Sequence, residues 1–81
     1  MAYYVYVIQS LKDNRYYIGS SSDVEKRLEY HNSGRQRSTR HRTPFRLVYH
    51  EAFESKHDAL LRENYIKSLK GGEAFKRLIS Q

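Results

Sequence analysis

YYVYVIQSLKDNRYYIG, residues 3–19, sets two runs of tyrosine and β-branched residues on either side of a polar turn containing Asp13 and Asn14. That is the pattern of a β-hairpin. Side chains alternate along a strand, so Tyr4, Tyr6 and Ile8 share one face while Tyr3, Val5 and Val7 share the other. In the second run Tyr17 and Gly19 face away from Tyr16 and Ile18. A loop with an even number of residues, Leu11 to Asn14, brings Tyr6 and Tyr17 onto one face. They are then direct or diagonal cross-strand neighbours, roughly 5–8 Å apart. Two phenols beside a glycine, where something can approach the backbone, make a candidate site and equally a candidate core.

Working outward, SSSDVEKRLEYHNSG follows the hairpin. Ser22 with Glu25 three residues on is a capping-box pattern, and Asn32 to Gly34 supply a stop, so a helix is predicted over 23–32. Its apolar stripe starts at Val24 and Leu28, yet the same stripe contains Arg27 and His31. Two polar groups occupy seats where leucine is expected. Either they lie at the stripe's edge and reach solvent, or they serve a site. The run RQRSTRHR, residues 35–42, has no aliphatic residue and is predicted to be a solvated loop. Its arginine forks match phosphate oxygens. Beyond Pro44, FRLVYHEAF alternates as a third strand over 45–52. Ser55 with Asp58 opens a helix over 56–69 whose inward face is drawn through Ala59, Leu60, Ile66 and Leu69. Glu63 falls on that face. A carboxylate in an apolar stripe is costly unless paired, protonated or bound to a cation, and an ion pair with Arg27 or with Lys67 at i+4 meets that need. Gly71–Gly72 ends the helix, and Glu73 to Ile79 forms a last short one packing Ala74, Phe75, Leu78 and Ile79.

The order β-β-α-β-α-α describes a small α+β domain with a three-stranded antiparallel sheet flanked by helices. One sheet face is expected to meet the helices and the other to stay partly exposed. Eighty-one residues suit a single domain over 1–81 with a modest core. Fifteen Lys and Arg against nine Asp and Glu leave a net charge of +6, which points to a polyanionic partner, nucleic acid first. With no cysteine, disulfides and thiolate metal sites are excluded. No apolar run reaches membrane-spanning length and the N-terminus lacks a signal-peptide pattern, so a cytoplasmic location and no membrane partner are expected. No serine–histidine–acid set or glycine-rich phosphate loop is present. Histidines at 31, 41, 50 and 57 have no i,i+4 pairing of the kind that holds zinc. What remains is a polar set in unusual places: Tyr6, Tyr17, Arg27, His31 and Glu63.

Those residues carry a resemblance. Tyr4-Val5-Tyr6, then Tyr17-Ile18-Gly19, Arg27 in the next helix, HNSG at 31–34, STRHRTPFRLVYHE at 38–51 and Arg62-Glu63 followed by Ile66-Lys67 resemble the GIY-YIG nuclease superfamily. Within it, the likeness is to the small stand-alone bacterial branch, and it covers nearly the whole chain. The first motif departs from the family pattern in carrying tyrosine at its leading glycine. The resemblance implies a phosphodiesterase acting on DNA with a single divalent cation, Mg2+ or Mn2+. It implies Glu63 as the metal ligand and Arg27 on the scissile phosphate. Tyr17 matches the phenol that helps activate water, Tyr6 the one that positions it or shares that role, and His31 a position near the attacking water.

Elementary chemistry is compatible with this. Phosphodiester hydrolysis needs an in-line water, neutralisation of the non-bridging oxygens and help for the departing oxygen. One carboxylate suffices for magnesium, which keeps several waters and accepts substrate phosphate. An ordinary tyrosine, with a pKa near 10, holds little phenolate at neutral pH. Activity rising above about pH 7 is therefore expected if Tyr17 is the base, and a flat profile if His31 or the cation does that work. Nucleic-acid contacts are expected from Arg35, Arg37, Arg40, Arg42 and Lys67. Specificity would come from that loop, from DNA shape (single-stranded and branched forms included) or from a protein partner. The alternative is a non-catalytic nucleic-acid-binding module using the Arg35–Arg42 loop and exposed tyrosines. An adaptor docking an acidic protein explains the charge but none of the polar set inside apolar stripes.

Overall fold

The computed structural model describes residues 2–80. Its elements run β1 (Tyr3–Ser10), β2 (Tyr16–Ser21), α1 (Val24–Asn32), β3 (Phe45–Phe53), α2 (Lys56–Ser68) and α3 (Glu73–Ile79), with a single 3-10 turn at Arg40–Arg42. The strands form one antiparallel sheet in the order β2-β1-β3. This is the predicted α+β architecture in the predicted order.

The hairpin turn closes as its residues require. Ser10 N–H donates to the Arg15 carbonyl at 2.9 Å and Asn14 N–H donates back to the Ser10 carbonyl at 2.9 Å. Asn14 takes the left-handed conformation, φ 62°, which asparagine tolerates better than most residues. The buried Ser10 hydroxyl accepts from the Lys12 and Asp13 N–H groups and donates to the Arg42 carbonyl, tying the turn to the segment ahead of β3. This geometry sets Tyr6 opposite Gly19 and Ile8 opposite Tyr17. Tyr6 and Tyr17 are therefore diagonal neighbours on one face.

Helices pack on both sheet faces, and the α1 side stays partly open as expected, with Leu47, His50 and Ala52 of β3 exposed on the face of Tyr6 and Ile8. Val5 and Val7 pack with Ala59 and Ile66 of α2 and Phe75 of α3. On the other side Tyr6, Ile8 and Phe45 pack with Val24 and Leu28 of α1. The reason lies in β1, whose residues Val5 to Ile8 are all buried. Burying each such side chain contributes roughly 1.5–3 kcal/mol, so a strand apolar on both sides draws helices to both.

Several local expectations shift. Asp23, not Ser22, caps α1, its carboxylate accepting from Lys26 N–H at 3.0 Å. Ser55 caps α2 as predicted, accepting from Asp58 N–H at 3.1 Å. Leu60 is 40% exposed and does not belong to the inward face, which runs through Ala59 and Ile66. In α3, Phe75 is buried while Ala74 is exposed. Glu51 of β3 holds Arg62 of α2 through both Nε and Nη2, at 2.8 and 3.0 Å, and accepts from the Tyr49 hydroxyl. That ion pair ties α2 to the far strand. Asn32, the last residue of α1, accepts from Phe45 N–H at 2.6 Å and donates to the Phe45 carbonyl at 3.0 Å, closing the base of the long loop between α1 and β3.

Candidate functional site

The site is built on β1, β2 and the faces of α1 and α2 beside them. Tyr6 projects from the centre of the middle strand and is 1% exposed. Its ring occupies the space above Gly19 on β2, where a Cβ would stand 2.6 Å from the phenol oxygen. The glycine was expected to admit a ligand to the backbone; what it admits is Tyr6. The Tyr6 hydroxyl lies 3.1 Å from His31 Nε2, and His31 Nδ1 lies 3.0 Å from the Thr39 hydroxyl.

His31 is wholly buried, so it does not reach solvent as a stripe-edge residue would. Its ring is packed by Tyr17 at 4.7 Å between centroids, Tyr30 at 5.9 Å and Phe45 at 6.1 Å. Burial, reinforced by the nearby Arg27 charge, drops its pKa to about 4, so the ring is neutral at physiological pH. Its Nε2 faces the Tyr6 hydroxyl, one of the phenols of the expected site. Thr39, also fully buried, was hidden in the polar run read as a wholly solvated loop. Nothing in the local pattern distinguishes it from its neighbours, because its partner lies on another element.

Tyr17 and Arg27 are half-buried. The Arg27 guanidinium sits 4.7 Å over the Tyr30 ring and has no carboxylate partner among the described residues. Burial pushes the Tyr6 phenol up to about 12, opposed by the nearby Arg27 guanidinium; the neighbouring Tyr17 and the Glu63 carboxylate add to the rise. The Tyr6 phenol thus feels Arg27 of α1, Tyr17 of β2 and Glu63 of α2, with α1 and α2 covering opposite faces of the sheet.

Glu63 keeps only 13% of its side chain exposed and pairs with Lys67 Nζ at 2.7 Å. The i,i+4 partner expected for a carboxylate in an apolar stripe is present. Lys67, itself 52% exposed, is thereby engaged and not a free cation. No group of three or more His, Cys, Asp or Glu suited to a metal exists among the described residues. A cation already favoured at a solitary, largely buried carboxylate fits a divalent ion that keeps its waters and takes substrate phosphate, and does not fit a fully protein-ligated one.

The basic loop divides in two. Arg35, Arg37 and Arg40 are exposed. Arg42 is drawn inward: its Nε lies 3.3 Å from Asp13 Oδ2, Nη2 reaches the Tyr16 carbonyl at 3.5 Å, and its guanidinium lies 5.6 Å over Phe45. No helix of the described residues is long and apolar enough to cross a membrane.

The model of the GIY-YIG catalytic domain family matches residues 2–76. The chain is similar to a UPF0213 protein of Clostridium perfringens, 46% identical over 67 residues, or 82% of this chain and 71% of that one. It is similar also to a UPF0213 protein of Staphylococcus saprophyticus, 40% identical over 80 residues, or 98% and 95% of the two chains. The solution NMR structure of a UPF0213 protein from Bacillus halodurans is 39% identical, covers 93% of this chain and 92% of its own, and has a TM-score of 0.49.

Proposed function

This chain belongs to the GIY-YIG catalytic domain family, and from that premise we propose that it is a metal-dependent endonuclease hydrolysing DNA phosphodiester bonds in the cytoplasm, its residues 1–81 acting as one domain. Membership carries a nuclease-type function on nucleic acid, and nucleases of this family generally use divalent metal ions. The observation that supports the finer reading is that Tyr6 and Tyr17 are diagonal neighbours on one sheet face, with the Arg27 and Glu63 charges near enough to act on the Tyr6 phenol.

In this reading Glu63 holds a single Mg2+ or Mn2+, releasing Lys67 toward DNA. When bound, the cation supplies positive charge to the phosphate and to the departing oxygen. Arg27, unpaired by any carboxylate among the described residues, binds the non-bridging oxygens of the scissile phosphate. Tyr17, half-buried at the mouth, orients the attacking water or takes its proton. Tyr6 positions and does not act as base. Moving its proton to His31 crosses from a group near 12 to one near 4, a cost on the order of 10 kcal/mol. His31 serves the reaction through Tyr6. Arg35, Arg37 and Arg40 contact phosphates along the strand, so affinity is salt-sensitive. Specificity comes from that loop, from DNA shape or from a protein partner.

The test is cleavage of single-stranded, nicked, branched and duplex DNA with Mg2+ or Mn2+, with Arg27→Ala and Glu63→Ala alongside. Each variant should lose about 100-fold or more in rate. Activity retained by both would overturn the assignment. DNA binding without cutting by any form would establish the non-catalytic module instead.

A further inference from the structure

Three fully or almost fully buried polar side chains form a line from the arginine loop to the middle of the sheet: Thr39, His31 and Tyr6, exposed 0%, 0% and 1%. The distances are 3.0 Å from Thr39 Oγ1 to His31 Nδ1 and 3.1 Å from His31 Nε2 to the Tyr6 oxygen. Thr39 Oγ1 also lies 3.4 Å from the Gln36 carbonyl. A neutral imidazole has one N–H and one lone pair, so only one of its two neighbours can donate to it. Buried donors without acceptors cost about 1–3 kcal/mol each, which decides between the two arrangements.

Suppose the proton sits on Nε2. It then points at the Tyr6 oxygen, and the Tyr6 O–H must find another acceptor. Arg27, beside that phenol, only donates, and His31 Nε2 is the one hydrogen-bond partner of the Tyr6 hydroxyl among the described residues. Tyr6 would be left with an orphaned proton. With the proton on Nδ1 every group is satisfied. His31 Nδ1–H donates to Thr39, Thr39 O–H donates to the Gln36 carbonyl, and Tyr6 O–H donates to Nε2.

We propose that Thr39 is a positioning residue that holds His31 in the Nδ1–H tautomer, so that the Tyr6 proton is turned toward His31 and only its lone pairs are left for other partners. A phenol fixed in this way can accept from Arg27 and cannot donate to the substrate phosphate. The consequence for cleavage rests on the nuclease reading; the tautomer itself does not. The chain of bonds also ties one buried residue of the loop to the Tyr6 phenol, while the arginines of that loop at 35, 37 and 40 are exposed.

The experiment is NMR of protein labelled with 15N-histidine at neutral pH, joined to cleavage kinetics, for wild type, Thr39→Val and Thr39→Ser. In wild type the unprotonated, pyridine-like nitrogen of His31 should be Nε2. Thr39→Val, which keeps the shape and removes the acceptor, should move the proton toward Nε2. It should lower kcat about 10–100-fold with KM nearly unchanged, and Thr39→Ser should restore both. An Nε2–H ring in wild type overturns the proposal, even if the valine variant fails to fold. So does a valine variant with unchanged nitrogen shifts, or one with reduced stability but undiminished kcat. If wild type shows Nδ1–H and yet cuts no DNA, the tautomer stands and the nuclease reading falls.

Discussion

The Tyr6 ring takes the volume that a side chain at Gly19 would need: a Cβ there would lie 2.6 Å from the phenol oxygen and 2.8 Å from Cζ. The ring has little room to move aside, because Tyr6 is on the central strand and its face is packed by α1. Gly19→Ala should therefore cost about 1–3 kcal/mol of stability and reduce cleavage by displacing the phenol. Urea unfolding checks the first effect and kinetics the second. An alanine variant as stable and as active as wild type would show that the ring moves aside freely.

If Glu63 holds the cation as proposed, Lys67 would compete with it for one carboxylate, since the ammonium stands 2.7 Å from Glu63 Oε2. Lys67→Met should tighten Mn2+ binding several-fold, as read by electron paramagnetic resonance of free Mn2+. Glu63→Gln should abolish it. Equal Mn2+ affinity in wild type and Lys67→Met would mean that the ion binds elsewhere.

Acid should destabilise the fold through His31. Unfolded, the ring titrates near 6.5; folded, at about 4. Between these values the unfolded chain binds the extra proton, so stability is full above about pH 6.5, declines as pH falls, and has lost up to about 3 kcal/mol below pH 4. Glu51, held below the usual carboxylate range by Arg62, adds a loss of the same sign at lower pH. Denaturation of His31→Gln across pH 4–7 should lack the first component. The same slope in that variant would assign it to another group.

Within the basic loop, equal charges should behave unequally. Arg37→Ala and Arg40→Ala should weaken DNA binding and each lower the salt slope by roughly 0.7–0.9, leaving folding stability nearly unchanged. Arg42→Ala should instead lower stability, because that side chain serves Asp13, the Tyr16 carbonyl and Phe45. Binding by fluorescence anisotropy at several salt concentrations, beside thermal melts, separates the two effects.

What was legible beforehand depended on how far each cause reaches along the chain. The shared face of Tyr6 and Tyr17 follows from strand alternation and a four-residue loop, and Glu63 with Lys67 follows from helical spacing. Asp23 and Ser22 are both good caps standing side by side, and only backbone geometry chooses between them. Leu60 adjoins Ala59 in the predicted stripe, yet the sheet meets only a narrow strip of α2. Thr39 and Asn32 were unreadable for a different reason: each is decided by a partner on another element, His31 for one and Phe45 for the other.

The double bond from Asn32 to Phe45 has a consequence for how such a protein can diversify. With one end of the connection clasped there and the other fastened by Ser10 to Arg42, the span between behaves as a replaceable cartridge. The exposed positions 35, 37 and 38 can be rewritten over generations, while Gln36, held by the Tyr30 hydroxyl, and buried Thr39 keep the scaffold on either side unchanged.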